Sequence, residues 1–123
     1  MHELPVTQAL LDLVVERAAA AQAARVTDIY IEIGQLASYV DESVQFYWDI
    51  ISGGTAAEGA NLHFQRIPLS IQCTACGRSF QPDGRTFDCP DCGSERVRVT
   101  SGEEFQLVGL DVERAAQPRT VEV

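Results

Sequence analysis

At 123 residues, with 46% hydrophobic and 7% aromatic content, the chain suits one compact core plus a small satellite unit and is too apolar to be a disordered segment. A net charge of −9, with Arg as the only basic residue type besides two histidines, argues against a general nucleic-acid binder, because phosphate binding needs a cationic surface. No run approaches the roughly 18 apolar residues of a membrane span. The early stretch from Ala9 to Val15 is broken by Asp12 and preceded by no basic segment, so no secretory leader is expected and the chain is read as cytoplasmic.

Residues 4–24 read as a helix, with Val6, Leu10, Leu13, Val14, Arg17 and Ala21 at helical spacing. Arg17 can lay its aliphatic stem along that face. Pro5 suits a first turn, where its missing N–H costs little, and the alanines from Ala18 to Ala24 favour helix. Val26 to Gly34 alternates, Ile29, Ile31 and Ile33 against Asp28, Tyr30 and Glu32, the pattern of a half-buried strand. A second helix is expected over 42–52, with Asp41 as N-cap, Val44, Tyr47, Trp48 and Ile51 on one face, and Gly53-Gly54 ending it. Leu62 and Phe64 mark a second strand that Pro68 stops, with His63 as an exposed strand residue on the opposite face. Phe105 to Val112 forms a third strand with Val108, Leu110 and Val112 on one face, and the segment from Ala115 lacks a pattern.

The expected fold is therefore α+β, two helices on a small three-stranded sheet, with an inserted four-cysteine zinc-ribbon domain. The expected division is 1–68 plus 103–114 for the main domain, 69–102 for the insertion and 115–123 for a loose tail.

All four cysteines lie in that insertion, as Cys73-x2-Cys76 and, twelve residues on, Cys89-x2-Cys92. A Cys-x2-Cys pair bends around one ion, and two pairs complete a tetrahedral site with metal–sulfur bonds of about 2.3 Å. Gly77 and Gly93 follow the second cysteine of each pair, where a left-handed turn is wanted, and Pro90 stiffens the second knuckle. Two disulfides would use the same residues, but a reducing compartment disfavours them. Four thiolates also suit iron; zinc is preferred as the commoner ion in closed structural sites. A closed site leaves no position for catalytic water.

The chain begins Met1-His2-Glu3. Because His2 is large, Met1 should be retained. Its amine, the His2 backbone nitrogen and the His2 imidazole can then close fused chelate rings on one ion, a nitrogen-rich donor set that favours Ni(II) or Cu(II). Glu3 could add its amide nitrogen or carboxylate, or serve only to favour the helix N-terminus.

Met1-His2-Glu3, Ile33-Gly34-Gln35-Leu36, Ala57-Glu58-Gly59-Ala60 and the knuckles Cys73-Thr74-Ala75-Cys76-Gly77 and Cys89-Pro90-Asp91-Cys92-Gly93 together resemble the HypA/HybF family of hydrogenase nickel-incorporation proteins, over roughly residues 1–112. The resemblance implies a nickel metallochaperone that helps load Ni(II) into the large subunit of [NiFe]-hydrogenase, and in some organisms urease, together with a HypB-type GTPase. It assigns nickel to His2, with Met1 and Glu3 as neighbours, and structural Zn(II) to Cys73, Cys76, Cys89 and Cys92. No membrane partner is expected, and a homodimer is left open. One departure stands out: some members carry histidines beside the zinc cysteines, and here none lies between Cys73 and Cys92 or after His63, so histidine switching at zinc is not expected.

The competing reading is a zinc-ribbon adaptor that binds protein or nucleic acid without handling nickel. Residues 61–100 carry five Arg against four acids, which favours it locally. An enzyme would need a nucleophile–base pair or an open metal site. Two histidines far apart in sequence, with every cysteine in one cluster, supply neither.

Overall fold

The computed structural model describes residues 3–82, 85–114 and 118–122, the last as backbone. The chain divides into two compact units, one of Met1–Ile31, Ser38–Gln65 and Gln106–Val123, the other of Glu32–Ala37 and Arg66–Phe105. The second unit holds all four cysteines and takes in Glu32–Ala37 besides Arg66–Phe105.

In the first unit, helix α1 spans Glu3–Ala20 and buries Thr7, Leu10, Leu11, Val14 and Ala18. The buried stripe is rotated from the expected one: Leu11 and Ala18 are inside while Arg17 is exposed. The helix also stops four residues before the expected end. Gln22 takes a left-handed φ of 55°, the Gln22 N–H donates to the Ala19 carbonyl at 3.0 Å, and the Ala23 N–H donates to the Ala18 carbonyl at 3.0 Å. These two bonds close a Schellman cap, which overrides the helix propensity of the alanines around it. A side chain in that conformation costs about 1 kcal/mol, so Gln22→Gly should raise stability by about that amount in urea unfolding. An unchanged or lower midpoint would show that the cap is not strained.

Strand β1 covers Arg25–Gly34; Ile29, Ile31 and Ile33 are buried as the alternation requires, and Val26, of the opposite parity, is buried as well. Helix α2 runs Asp41–Ile51 and buries Val44 and Trp48. Its N-cap is Val40, in extended conformation and without a side-chain cap bond, so the expected cap Asp41 instead stands inside the first turn. Strand β2 (Asn61–Ile67) buries Leu62 and leaves His63 outside. A two-residue β4 (Ser79–Phe80) flanks β3 (Ser70–Cys73) on one side and β5 (Val97–Ser101) lies on the other, both antiparallel, making a three-stranded sheet in the second unit.

Strand β6 (Phe105–Glu113) buries Leu110 and Val112 as expected, with Val108 only half-buried and Leu107 inside. The three expected strands lie in one sheet, and the segment expected to be loose adds a fourth: β7 (Pro118–Glu122) pairs antiparallel with β6, giving the order β2-β1-β6-β7. The physical reason is that β6 has an unpaired edge whose backbone groups accept any extended segment, whatever its side-chain pattern. Among the described residues no helix is long and apolar enough to cross a membrane.

The polar face of this sheet is tied across three strands. His63 Nε2 lies 2.7 Å from Asp28 Oδ1, the His63 ring stacks on Tyr30 at 4.9 Å, and the Tyr30 hydroxyl donates to Asp111 Oδ2 at 2.5 Å. The His63 hydrogen bond holds the Asp28 carboxyl below its ordinary value, and the hydrogen bond to Asp111 pushes the Tyr30 phenol up to about 12. Because the folded Asp28 value is depressed, its contribution is present above the unfolded value of about 3.9 and is lost as pH falls through the folded value. Asp28→Asn should therefore lower the urea midpoint at pH 7 and flatten its dependence on pH below about 4. An acid limb identical to the native one would show that this pair contributes nothing.

Candidate metal centre

Each Cys-x2-Cys knuckle is built in the same way. The Gly77 N–H donates to the Cys73 carbonyl at 2.9 Å, and the Gly93 N–H donates to the Cys89 carbonyl at 2.8 Å. Both glycines have left-handed φ, 84° and 74°, which a side chain would resist. The chain then returns on itself: the Cys73 N–H reaches the Arg78 carbonyl at 2.8 Å and the Cys89 N–H reaches the Ser94 carbonyl at 3.0 Å. Cys73 ends β3, so the first knuckle hangs directly from the small sheet.

This folding turns the four sulfurs inward. Cys73 Sγ and Cys92 Sγ are 3.6 Å apart, Cys76 Sγ and Cys89 Sγ 3.7 Å, and all four ligand atoms lie within 4.8 Å of one another. A tetrahedron with metal–sulfur bonds of about 2.3 Å has edges of about 3.8 Å, so the cage matches one four-coordinate ion. The cysteines are free thiols, with sulfur separations far beyond a disulfide bond of about 2.05 Å. Cys73 and Cys89 are buried and Cys76 and Cys92 exposed, so each knuckle contributes one inner and one outer ligand.

Backbone donors prepare the inner pair for metal. The Cys76 N–H, at 3.5 Å from Cys73 Sγ, leads the effects that pull the Cys73 thiol down to about 6. The Cys92 backbone N–H does the same for Cys89, whose value is lowered. At Cys92 the Ser94 N–H favours the thiolate but is outweighed by Cys73, burial and the other cysteines, which push it up to about 12. Cys76 is raised in the same way: the Arg78 N–H pulls it down but is outweighed by Cys89, burial and Cys73. Metal must therefore displace protons from the outer ligands, and affinity should fall as pH falls. The donor set is soft, closed and complete, which suits structural zinc and leaves no open position for water.

The guanidinium of Arg78 in the first knuckle pairs with Asp91 in the second, outside the sulfurs. Arg98 donates to Gln72 Oε1 at 2.6 Å. Arg78 and Arg98, both in the stretch that favoured a nucleic-acid surface, are thus engaged within the unit. His63 lies in the other unit and does not join the cluster. His2 lies outside the described residues.

Ile33-Gly34-Gln35-Leu36 has a structural task beyond the family likeness it carries. In the second unit it clamps both legs of the cysteine segment. The Gly34 N–H donates to the Glu104 carbonyl at 2.7 Å, and the Leu36 N–H to the Gly102 carbonyl at 2.7 Å. The Gln35 N–H donates to the Ile67 carbonyl at 2.9 Å, while its side-chain Oε1 accepts the Leu69 N–H at 2.9 Å. A Gly followed by an amide side chain directly after a strand was the available signal.

Fold and site together define a small α+β protein with a zinc-suited four-thiolate unit inserted in it. Residues 1–112 match the family described as hydrogenase/urease nickel incorporation, metallochaperone, HypA. The chain is 42% identical over 114 residues to the hydrogenase maturation factor HypA of Caldanaerobacter subterraneus subsp. tengcongensis, covering 92% of this chain and all of that one. It is 36% identical to the hydrogenase maturation factor HybF of Klebsiella pneumoniae, again over 92% of this chain and all of the relative. The solution structure of the Ni metallochaperone HypA from Helicobacter pylori shares the fold, with a TM-score of 0.68 at 22% identity over 93% of this chain and 99% of that one. The chain belongs to the HypA family and is a nickel metallochaperone of hydrogenase maturation.

Proposed function

We propose that the chain carries Ni(II) at its amino terminus, with His2 as ligand and Met1 and Glu3 as neighbours, while Cys73, Cys76, Cys89 and Cys92 hold zinc for shape. The observation that carries this is the family match over residues 1–112, a span that contains both Met1-His2-Glu3 and the cysteine cage. The division of labour has a physical basis. Terminal donors can be exchanged one at a time by an acceptor, whereas four thiolates around one ion release it slowly. Nickel passes to the hydrogenase large subunit with a HypB-type GTPase, in the cytoplasm, and the chain itself catalyses no reaction. The acidic surface, with a net charge of −9, favours basic patches on those partners.

The test is a calorimetric nickel titration of zinc-loaded protein with its native amino terminus beside His2→Ala. The native protein should bind nickel, and the variant should lose that binding while retaining zinc. Equal nickel binding by both proteins, or by neither, would remove the terminal site and favour the adaptor reading.

A further inference from the structure

The two knuckles are joined differently at two opposite edges of the sulfur tetrahedron. At the edge formed by Cys73 and Cys92, whose sulfurs are 3.6 Å apart, the joint runs through backbone. Thr74, next to Cys73, donates both its N–H and its hydroxyl to the Arg96 carbonyl, at 2.8 and 3.0 Å. Cys73 itself pairs with Val97, so this joint continues the ladder of β3 and β5. At the edge formed by Cys76 and Cys89, whose sulfurs are 3.7 Å apart, the joint is the ion pair of Arg78 with Asp91. Each of those residues also turns its own backbone N–H on a sulfur of that edge, Arg78 on Cys76 and Asp91 on Cys89. The side-chain pair therefore spans the edge that the two backbones serve. Its side chains are 47% and 54% exposed, so dissolved salt screens it.

We propose that Arg78 and Asp91 are positioning residues of the zinc site: their ion pair is a latch that holds the Cys76–Cys89 edge closed, and its opening sets the rate of zinc release. This rests on the reading of the four cysteines as zinc ligands. Releasing an ion from four thiolates requires the sulfurs to separate one after another, and the edge with the weaker joint separates first. The Thr74–Arg96 joint opens only with the end of the β3–β5 ladder, whereas the ion pair can break while the sheet stays intact. Cys76, the exposed ligand of the latched edge, is then the sulfur at which a competing chelator enters.

The experiment follows zinc release from the full zinc-loaded chain into an excess of colorimetric chelator, in the range where the rate no longer depends on chelator concentration. Native protein is compared with Arg78→Gln, Asp91→Asn, the two combined, and the exchanged pair Arg78→Asp with Asp91→Arg. Each single variant should release zinc about threefold faster than native, the loss of one exposed ion pair. The combined variant should be no faster than either single one, and the exchanged pair should return to within about twofold of native. Salt at about 1 M should speed native release and leave Arg78→Gln unchanged. Charge acting through its field alone gives the opposite sign at Arg78, because a cation beside a departing divalent cation hastens it. Release from Arg78→Gln at or below the native rate would therefore overturn the latch. So would single effects that multiply in the combined variant, native release indifferent to salt, or a variant that holds no zinc, since a latch sets rate and not capacity. Native protein that binds no zinc would instead overturn the zinc reading, and the latch with it.

Discussion

A strong chelator should unfold residues 66–105 and leave hydrogen exchange in α1 and the first half of β1 unchanged. The reason is the size of what holds the cysteine unit. Its buried cluster is Leu69, Ile71, Cys73, Phe80 and Cys89, with Val97 packed against it. Two of those five core residues are themselves ligands, and β4 contributes only two residues to the sheet. A core that small cannot offset the conformational entropy of ordering its chain. Structural zinc in small units supplies about 10–16 kcal/mol of apparent binding free energy, which is then folding free energy. Cys89→Ser should act in the same direction, since it removes a ligand and a buried core residue together. Exchange in the segment that stays native-like after metal removal, with zinc release verified by a colorimetric indicator, would mean that the apolar cluster suffices.

Gly34→Ala should be the most damaging single methyl group in the chain, lowering stability by about 3 kcal/mol or more through overpacking against rigid backbone. A Cβ on Gly34 would stand 2.1 Å from both the carbonyl carbon and oxygen of Gly102, and 2.5 Å from the Glu103 nitrogen. Backbone cannot rotate aside as a side chain can. The same shift would strain the Gly34–Glu104 and Leu36–Gly102 hydrogen bonds, at 2.7 Å each. Gly53→Ala is the control, because its nearest neighbour is the flexible Glu58 carboxylate at 3.6 Å, and it should change stability by no more than about 0.5 kcal/mol. A urea midpoint for Gly34→Ala equal to that of the control would show that the two backbones have room to separate.

The metal cage was legible because its information is local. Two Cys-x2-Cys pairs each followed by glycine define a knuckle whatever surrounds them, and the sulfurs meet within 4.8 Å as the spacing required. The β1 alternation was equally plain, since a period of two with isoleucines on one side admits one orientation. The nickel assignment to His2 came from sequence position and family likeness, and the protein that would test it must keep Met1 in place.

What the sequence determined by itself is the four-cysteine cluster, the apolar row of β1, the two helices in outline and the family. What only the tertiary structure decided is where local preference yields to distant partners. The alanines after Ala20 favour helix, yet two backbone bonds and a left-handed Gln22 stop it. Asp41 is the better N-cap by composition, yet Val40 takes the position because Glu3, 37 residues away, serves its N–H. Residues after Ala115 carry no pattern, yet 118–122 form a strand because β6 offers an open edge. Gly34 looks like a simple strand end until Gly102 packs on it. In each case the deciding interaction joins backbone groups or surfaces that no window of neighbouring residues contains, and backbone hydrogen bonding, unlike side-chain pattern, leaves little trace in sequence.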